Sequence, residues 1–273
     1  MTADPNVVFS GSIPENYDRY LGPVLFEPFA RDLVERLESR KPRSVLEIAC
    51  GTGILTRQLR QQLGKDIYVV ATDLNAPMLD YARAKFSGAK DLEWEVADAS
   101  ALPFGDETFD VVVCQFGLMF APDKEAAMRE AYRVLRAGGA FVFNVWDSME
   151  KNPFAQIAHE TIASFFDRDP PTFYEIPFSM HDARMIRGAL KKAGFDAIES
   201  SLVTLPLRAQ SAGEFAIGLV RGNPVSTAIE ERGGKIDNVI RAVGEKIAER
   251  FGAAPAESTM QAMAWSAERI PRL

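Results

Sequence analysis

The sequence predicts a doubly wound α/β fold with a mostly parallel sheet, and three observations carry that expectation. A strand, a tight turn and a helix follow one another from Val45, reading Val-Leu-Glu-Ile-Ala-Cys-Gly-Thr-Gly as far as Gly53. Apolar strand-like runs then alternate with stretches of helical periodicity at a steady rhythm, with no internal repeat. One of those runs, Phe109 to Cys114, reads as a strand buried on both faces of a parallel sheet.

At 273 residues, 47% of them hydrophobic and 25% charged, the chain can bury a large core in one domain with appendages. The net charge of −7 and the lack of a long basic run argue against a nucleic-acid partner and for a small-molecule substrate. Cys50 and Cys114 each end an apolar run, so both read as buried reduced thiols, which fits a cytoplasmic protein. Met1 to Ser10 lacks a basic start followed by an apolar core, and the longest apolar run, Val111 to Ala121, is broken by Gln115. A soluble chain without stable membrane association is expected.

In order, residues 1–22 show little periodicity and read as a surface flap carrying Tyr17 and Tyr20, with a helix starting at Pro23. That helix has Phe26, Phe29, Ala30, Leu33 and Leu37 on one stripe and ends before Pro42. Val45, Leu46 and Ile48 form the first strand, and Ile54, Leu55, Leu59 and Leu63 continue at helical spacing beyond the turn. Gly51 and Gly53 let the turn open and let a ligand approach the amides at a helix start, as a nucleotide cradle does. Glu47 lies in mid-strand, where an unpaired carboxylate is costly, so it needs a partner. Thr56 stands where a dinucleotide site has its third glycine, and Glu47 would repel a pyrophosphate. A ligand carrying an ammonium and a sulfonium suits it better.

Gly64 closes that helix, and Ile67 to Thr72 forms a strand ending in Asp73, 20 residues after Gly53. At that spacing a carboxylate accepts hydrogen bonds from both hydroxyls of a ribose. Asn75 caps the next helix, through Met78, Leu79, Ala82 and Phe86 to Gly88. Leu92 to Ala97 is a strand ending in Asp98, which suits either an adenine amino group or the cap of a short turn. After Cys114 the loop Gln115 to Phe120 is too apolar for free solvation and must cover something. A helix capped by Asp123 turns Met128, Ala131, Val134 and Leu135 inward and is ended by Gly138-Gly139, and Ala140 to Trp146 is the next strand.

The ordered series of Val45–Gly53, Asp73, Asp98-Ala99-x-x-Leu-Pro-Phe, Phe-Asp-Val-Val-Val and Arg-Val-Leu-Arg-x-Gly-Gly resembles the class I S-adenosylmethionine-dependent methyltransferases. Within them it is similar to the small-molecule branch that includes the ubiquinone and menaquinone C-methyltransferases. The resemblance spans Arg43 to Trp146 and implies S-adenosyl-L-methionine as cofactor. It implies Glu47, Ala49, Gly51 and Gly53 at the methionine portion, Asp73 at the ribose, Leu74 and Met78 at the adenine faces, and Asp98 with Ala99 at the adenine edge. Gln115 would lie beside the methionine amino group through its backbone. Ala49 stands where such motifs commonly have glycine, which narrows the site slightly.

The resemblance also implies a Rossmann-like, seven-stranded sheet whose antiparallel last strand slots between the fifth and sixth. Phe195 to Leu207 would be the sixth strand, with Ile198 and Leu202 on one face, and Thr259 to Ala267 the last. The chain would then be a single methyltransferase domain over 1–273, with core 23–150, 181–209 and 256–273 and cap elements 1–22, 151–180 and 210–255. The aromatic, proline-punctuated segment 151–180 either walls a substrate cavity or forms a satellite core. Glu214 to Val220 and Val225 to Phe251, broken at Gly233-Gly234, are helical and serve as a substrate lid or a homodimer surface.

No catalytic residue is assigned: His181 reads as a cap or surface residue, and His159, the better base candidate, sits among apolar neighbours. No metal-ligand cluster or Gly-x-Ser-x-Gly elbow is visible. The acceptor nucleophile, whether O, C, N or S, stays open. A nicotinamide-dependent oxidoreductase is the alternative that Thr56 and Glu47 oppose. A non-catalytic methyltransferase-fold partner protein is the one that an intact Glu47, Gly51, Asp73 and Asp98 opposes.

Overall fold

In the computed structural model, which describes residues 5–64 and 66–271, seven strands hydrogen-bond into one sheet. They are β1 (Ser44–Ile48), β2 (Tyr68–Asp73), β3 (Leu92–Val96), β4 (Phe109–Gln115), β5 (Leu135–Trp146), β6 (Asp196–Ala209) and β7 (Ala256–Glu268), in the order β3-β2-β1-β4-β5-β7-β6. The first four residues of the expected 1–22 cap and the last two of the 256–273 segment lie outside the described residues. β1 is buried at every position and pairs in parallel with β2 and β4. Each fully buried valine, leucine or isoleucine there contributes about 1.5–3 kcal/mol. β7 runs antiparallel between β5 and β6, as expected, although it begins at Ala256 rather than Thr259. β6 is an edge strand, so Leu202 on its outer face is 64% exposed while Val203 and Leu207 face inward.

Among the described residues ten α-helical segments cover the sheet and its ends: α1 (Ile13–Asn16), α2 (Glu27–Glu38), α3 (Ile54–Gln62), α4 (Ala76–Lys85), α5 (Lys124–Val134), α6 (Pro153–Ala163), α7 (Ala183–Ala193), α8 (Ala212–Arg221), α9 (Val225–Glu231) and α10 (Ile236–Phe251). The expected flap is helical instead. From Ile13 the chain winds through α1 and a wider π-helical stretch, Tyr17–Phe26, into α2. The wider winding, in which the Glu27 amide reaches back five residues to Gly22 O, admits Pro23 inside the helix. The buried Ile13, Leu21 and Leu25 recur at multiples of four residues, a helical spacing that Pro14, Gly22 and Pro23 mask in the sequence.

A second difference lies after α5, which stops at Val134 rather than running on to the glycines. Leu135 already pairs with Phe109 as the first residue of β5, and a register shift follows before Ala140 pairs with Val111. Gly138, at φ 84°, donates its amide to Arg269 O at 2.7 Å, so the glycines shape a bulge beside β7 rather than a helix end. Asp182, not His181, caps α7, its side chain accepting from the Arg184 amide at 2.8 Å. The segment expected to be short aromatic pieces contains the regular helix α6. No helix among the described residues is long and apolar enough to cross a membrane.

Helices α8 to α10 lie between β6 and β7 in sequence but fold back toward the carboxyl ends of the parallel strands. α8 packs on the Tyr17–Phe26 stretch and on α10, and α10 packs on α6. Three segments far apart in the chain therefore meet above one end of the sheet.

Candidate active site

After β1 the backbone enters the left-handed region at Ala49 (φ 55°), Gly51 (φ 56°) and Gly53 (φ 79°). The turn is held by Asp73 at the end of β2. Its Oδ2 accepts from the Gly51 amide at 2.8 Å and its Oδ1 from the Asn75 amide at 2.8 Å. Burial raises the Asp73 pKa while the amides of Asn75 and Gly51 oppose that rise. Each oxygen keeps lone-pair capacity after these bonds, enough for a pair of ligand hydroxyls. A β-carbon placed on Gly51 would meet only the Met78 Cε, at 3.5 Å, so the backbone is open to close approach there. Asn75 occupies the N-cap of α4, yet its Oδ1 accepts from the Phe9 amide at 3.0 Å and ties the N-terminal segment to this corner.

Of the residues expected from sequence, Ala49, Gly51, Asp73, Leu74, Met78, Asp98, Ala99 and Gln115 line one cleft at the carboxyl ends of β1, β2 and β4. Leu74 is 53% exposed at its mouth and Met78 is buried beside Gly51. Asp98 faces the cleft and also closes its own turn, its Oδ1 accepting from the Ser100 amide at 2.8 Å and hydroxyl at 2.7 Å. Gln115 anchors its Nε2 on Phe26 O at 3.0 Å, and its buried Oε1 meets no partner among the described residues.

Glu47 and Gly53 are not among the lining residues and stand behind the turn. The partner that Glu47 requires is the Thr56 hydroxyl, which donates to its Oε2 at 2.6 Å. Thr56 thus fills the position of the absent third glycine and satisfies the buried acid. Burial pushes the Glu47 pKa up to about 8, against the Thr56 hydrogen bond and with Asp73 adding to the rise. A β-carbon on Gly53 would lie 3.0 Å from Phe86 Cε2 and 3.2 Å from Ala82 Cβ, so this glycine lets α4 pack closely.

The cleft continues into a chamber walled by rings. Tyr17 stacks on Phe26 with centroids 4.5 Å apart, and Phe116 stacks on Trp146 at 4.0 Å. Phe154, Phe173, Tyr174 and Phe178 come from the 151–180 segment, and Leu219 and Asn223 from α8 and the turn after it. The apolar loop after β4 covers this space with Phe116, Leu118 and Phe120. Among the lining residues Asp73 and Asp98 are the only carboxylates, and no lysine, arginine, histidine or glutamate joins them. Burial raises the pKa of the Tyr17 and Tyr174 phenols. His159 and His181 do not line the chamber, and His181 sets its Nδ1 2.8 Å from Phe178 O. Among the described residues no group of three or more His, Cys, Asp or Glu side chains could hold a metal.

Sequence reasoning missed most of this chamber. The density of aromatics in 151–180 was a signal for its wall, and the apolar 115–120 loop for its cover. Nothing marked Asn223, which lies between Gly222 and Pro224 and reads as an ordinary turn.

A family profile described as "Methyltransferase domain" matches residues 46–143. The ubiquinone/menaquinone biosynthesis C-methyltransferase UbiE of Klebsiella pneumoniae (strain 342) is 32% identical over 189 residues, which cover 64% of this chain and 74% of that protein. The demethylmenaquinone methyltransferase of Lactobacillus johnsonii is 34% identical over 135 residues, 48% of this chain and 55% of the relative. Among solved structures, a phosphoethanolamine N-methyltransferase 2 from Haemonchus contortus, in complex with S-adenosyl-L-methionine, superposes with a TM-score of 0.60. It is 16% identical and covers 94% of this chain and 57% of its own, so it shares the fold. With its turn motif, its strand order and these relatives, the chain belongs to the class I S-adenosylmethionine-dependent methyltransferases.

Proposed function

We propose that Gly51, Asp73, Leu74, Met78, Asp98 and Ala99 hold S-adenosylmethionine, and that the ring-walled chamber takes a small-molecule methyl acceptor. The observation that carries this reading is the Asp73 clamp. A buried carboxylate tied to the Gly51 and Asn75 amides, with acceptor capacity left over, is built to receive two neighbouring hydroxyls. The residues fit the cofactor in other ways as well. Gly51 opens the backbone where the methionine portion would pass, and Leu74 and Met78 present apolar surface to a flat base.

The bound cofactor supplies a methyl group on a sulfonium, already activated for displacement. The protein's own work is then to bind, align and keep the cleft dry. Gly51 and Asp73 fix one end of the cleft, Glu47 backs the turn as an acid hydrogen-bonded to Thr56, and the rings of Phe26, Phe116 and Trp146 exclude water from the line of transfer. The absence of charged groups in the chamber beyond Asp73 and Asp98 supports a small organic acceptor over a nucleic acid. We also propose a single domain acting in the cytoplasm, with cap elements 1–22, 151–180 and 210–255 serving as the chamber wall. The packing of α8 on Tyr17–Phe26 supports a lid role for the third element rather than a homodimer surface.

Calorimetric titration with S-adenosylhomocysteine and, separately, with NADH tests the site. Binding of S-adenosylhomocysteine below the millimolar range with none of NADH is the expected result, and the reverse would overturn it.

A further inference from the structure

Asn223 sits where the third cap element meets the other two. It follows Gly222, on which a β-carbon would lie 2.5 Å from Gly218 O and 3.2 Å from both Leu21 Cδ1 and Tyr17 Cα. Glycine at this point lets the end of α8 press on the N-terminal segment and carries the next residue into the chamber. Tyr174 Oη donates to Leu219 O at 2.7 Å, and Asn223 Nδ2 donates to the same carbonyl at 3.0 Å. Because a carbonyl can be met only by the amide's NH2, these contacts set which way Asn223 points. The side chain is 8% exposed, lines the chamber, and among the described residues nothing donates to its Oδ1.

The chamber that Asn223 lines carries the rings of Tyr17, Phe26, Trp146, Phe154, Phe173 and Phe178, and the amides of Gln115 and Asn75 belong to the sheet side of the cleft. Of the polar side chains that the three cap elements contribute, Tyr17 and Tyr174 are phenols, and Asn223 alone offers a carbonyl-type acceptor. The carboxylates of Asp73 and Asp98 lie at the ends of β2 and β3, each already hydrogen-bonded to neighbouring amides. No lysine, arginine or histidine is present to meet an anion.

We propose that Asn223 is the specificity-determining anchor of the acceptor, and that the acceptor is an uncharged, ring-bearing molecule offering it one O–H or N–H donor. This rests on reading the cleft as the S-adenosylmethionine site. Flat rings stack against the aromatic walls. A carboxylate or phosphate would enter an apolar space with no cationic side chain to meet it. An analogue without the donor would cover Asn223 Oδ1 without pairing it, a stronger basis for rejection than apolar fit alone. Burial holds both lining phenols protonated, and the two lining carboxylates, Asp73 and Asp98, are tied to amides at the ends of β2 and β3, so the cap elements offer the acceptor no base. Any proton lost before transfer goes to water, and the pH dependence belongs to the acceptor.

The test follows S-adenosylhomocysteine release from S-adenosylmethionine with a panel of phenols, indoles and anilines and their carboxylated counterparts. Turnover of uncharged members and not of carboxylated ones is expected, with a pH profile that moves with the acceptor's own pKa. Asn223→Ala should raise KM about tenfold or more for the best acceptor. It should leave KM unchanged for that acceptor's analogue lacking the donor distal to the methylated atom. Calorimetric binding of S-adenosylhomocysteine by the variant shows that it is folded, and Asn223→Leu, which removes the acceptor oxygen at similar size, stands in should the alanine variant not fold, with the same split in KM expected. Preference for carboxylated members, an equal KM rise for both analogues, or no turnover of any uncharged member by a protein that binds S-adenosylhomocysteine would each overturn the proposal. Absence of S-adenosylhomocysteine binding by the unaltered protein would instead sink the cofactor site itself.

Discussion

Ala49 and Gly117 share one space: a β-carbon placed on Gly117 would sit 2.4 Å from Ala49 Cβ and 2.8 Å from Cys114 Sγ. The alanine that replaces the usual glycine after β1 holds a left-handed φ of 55°, and the bare α-carbon of Gly117 makes room for its methyl. The slight narrowing that the sequence suggested is therefore taken up by the facing loop.

Gly117→Ala should consequently cost about 1–3 kcal/mol by overpacking. Ala49→Gly should be neutral or stabilising by no more than about 1 kcal/mol, because relief of the left-handed strain is offset by greater freedom of the unfolded chain. The double variant should recover part of the Gly117→Ala loss, the remaining Cys114 Sγ contact preventing full recovery. Urea unfolding of all four proteins measures the coupling, and strict additivity would show that the two sites do not meet.

Asp73 organises the turn as well as facing the cleft, so the informative substitution is Asp73→Asn rather than Asp73→Ala. Alanine would strand the Gly51 and Asn75 amides, at about 1–3 kcal/mol for each buried unpaired group. Asparagine keeps one oxygen for an amide and removes the charge. Its expected effect is S-adenosylhomocysteine binding weakened about tenfold or more, with a modest loss in Tm, read by calorimetry and thermal melting. Unchanged affinity would remove Asp73 from the ribose.

Glu47 should make the ligand-free protein lose stability toward alkaline pH. Its pKa is pushed up from an ordinary 4.5 to about 8, chiefly by burial. The folded state therefore holds a proton that the unfolded chain has released. That stabilisation is whole below about pH 4.5 and fades as pH rises through about 8. Glu47→Gln should flatten the fall of Tm between these limits and leave the variant more stable than the parent at pH 8. Asp73, whose pKa burial also raises, leaves a residual slope of the same sign. A Tm–pH curve identical in parent and Glu47→Gln would show that Glu47 is ionised in the fold.

Ending the chain at Pro255 removes β7 from between β5 and β6. It takes away Trp265, 1% exposed and stacked on Phe143 at 6.2 Å, and leaves β6 without a partner. The expected product shows no cooperative melt and no S-adenosylhomocysteine binding. A truncated protein that melts cooperatively and binds would make the last strand peripheral.

The sequence by itself determined the elements whose signal is local. The strand, turn and helix at Val45–Gly53, the acids at the ends of β2 and β3 and the alternation of strand and helix are each written in a few adjacent residues. Burial of a strand on two faces, or the end of a strand at a ligand, constrains residue type directly. The place of β7 came from resemblance, since its apolar run alone marks a buried strand without naming its neighbours. Tertiary structure decided what depends on contacts across the chain. The Phe9 amide meets Asn75 from 66 residues away, and Tyr174 meets Leu219 from 45. The partner of Glu47 could be required from sequence, but a threonine hydroxyl nine residues on satisfies it only because α3 begins where β1 ends. Likewise Gly22 and Pro23 mask the helical path of Tyr17–Phe26, and Asn223 carries no pattern at all. Their roles follow from which surfaces the fold brings face to face, and a hydrogen-bond partner or a ring stack leaves no spacing in the chain for a one-dimensional reading to find.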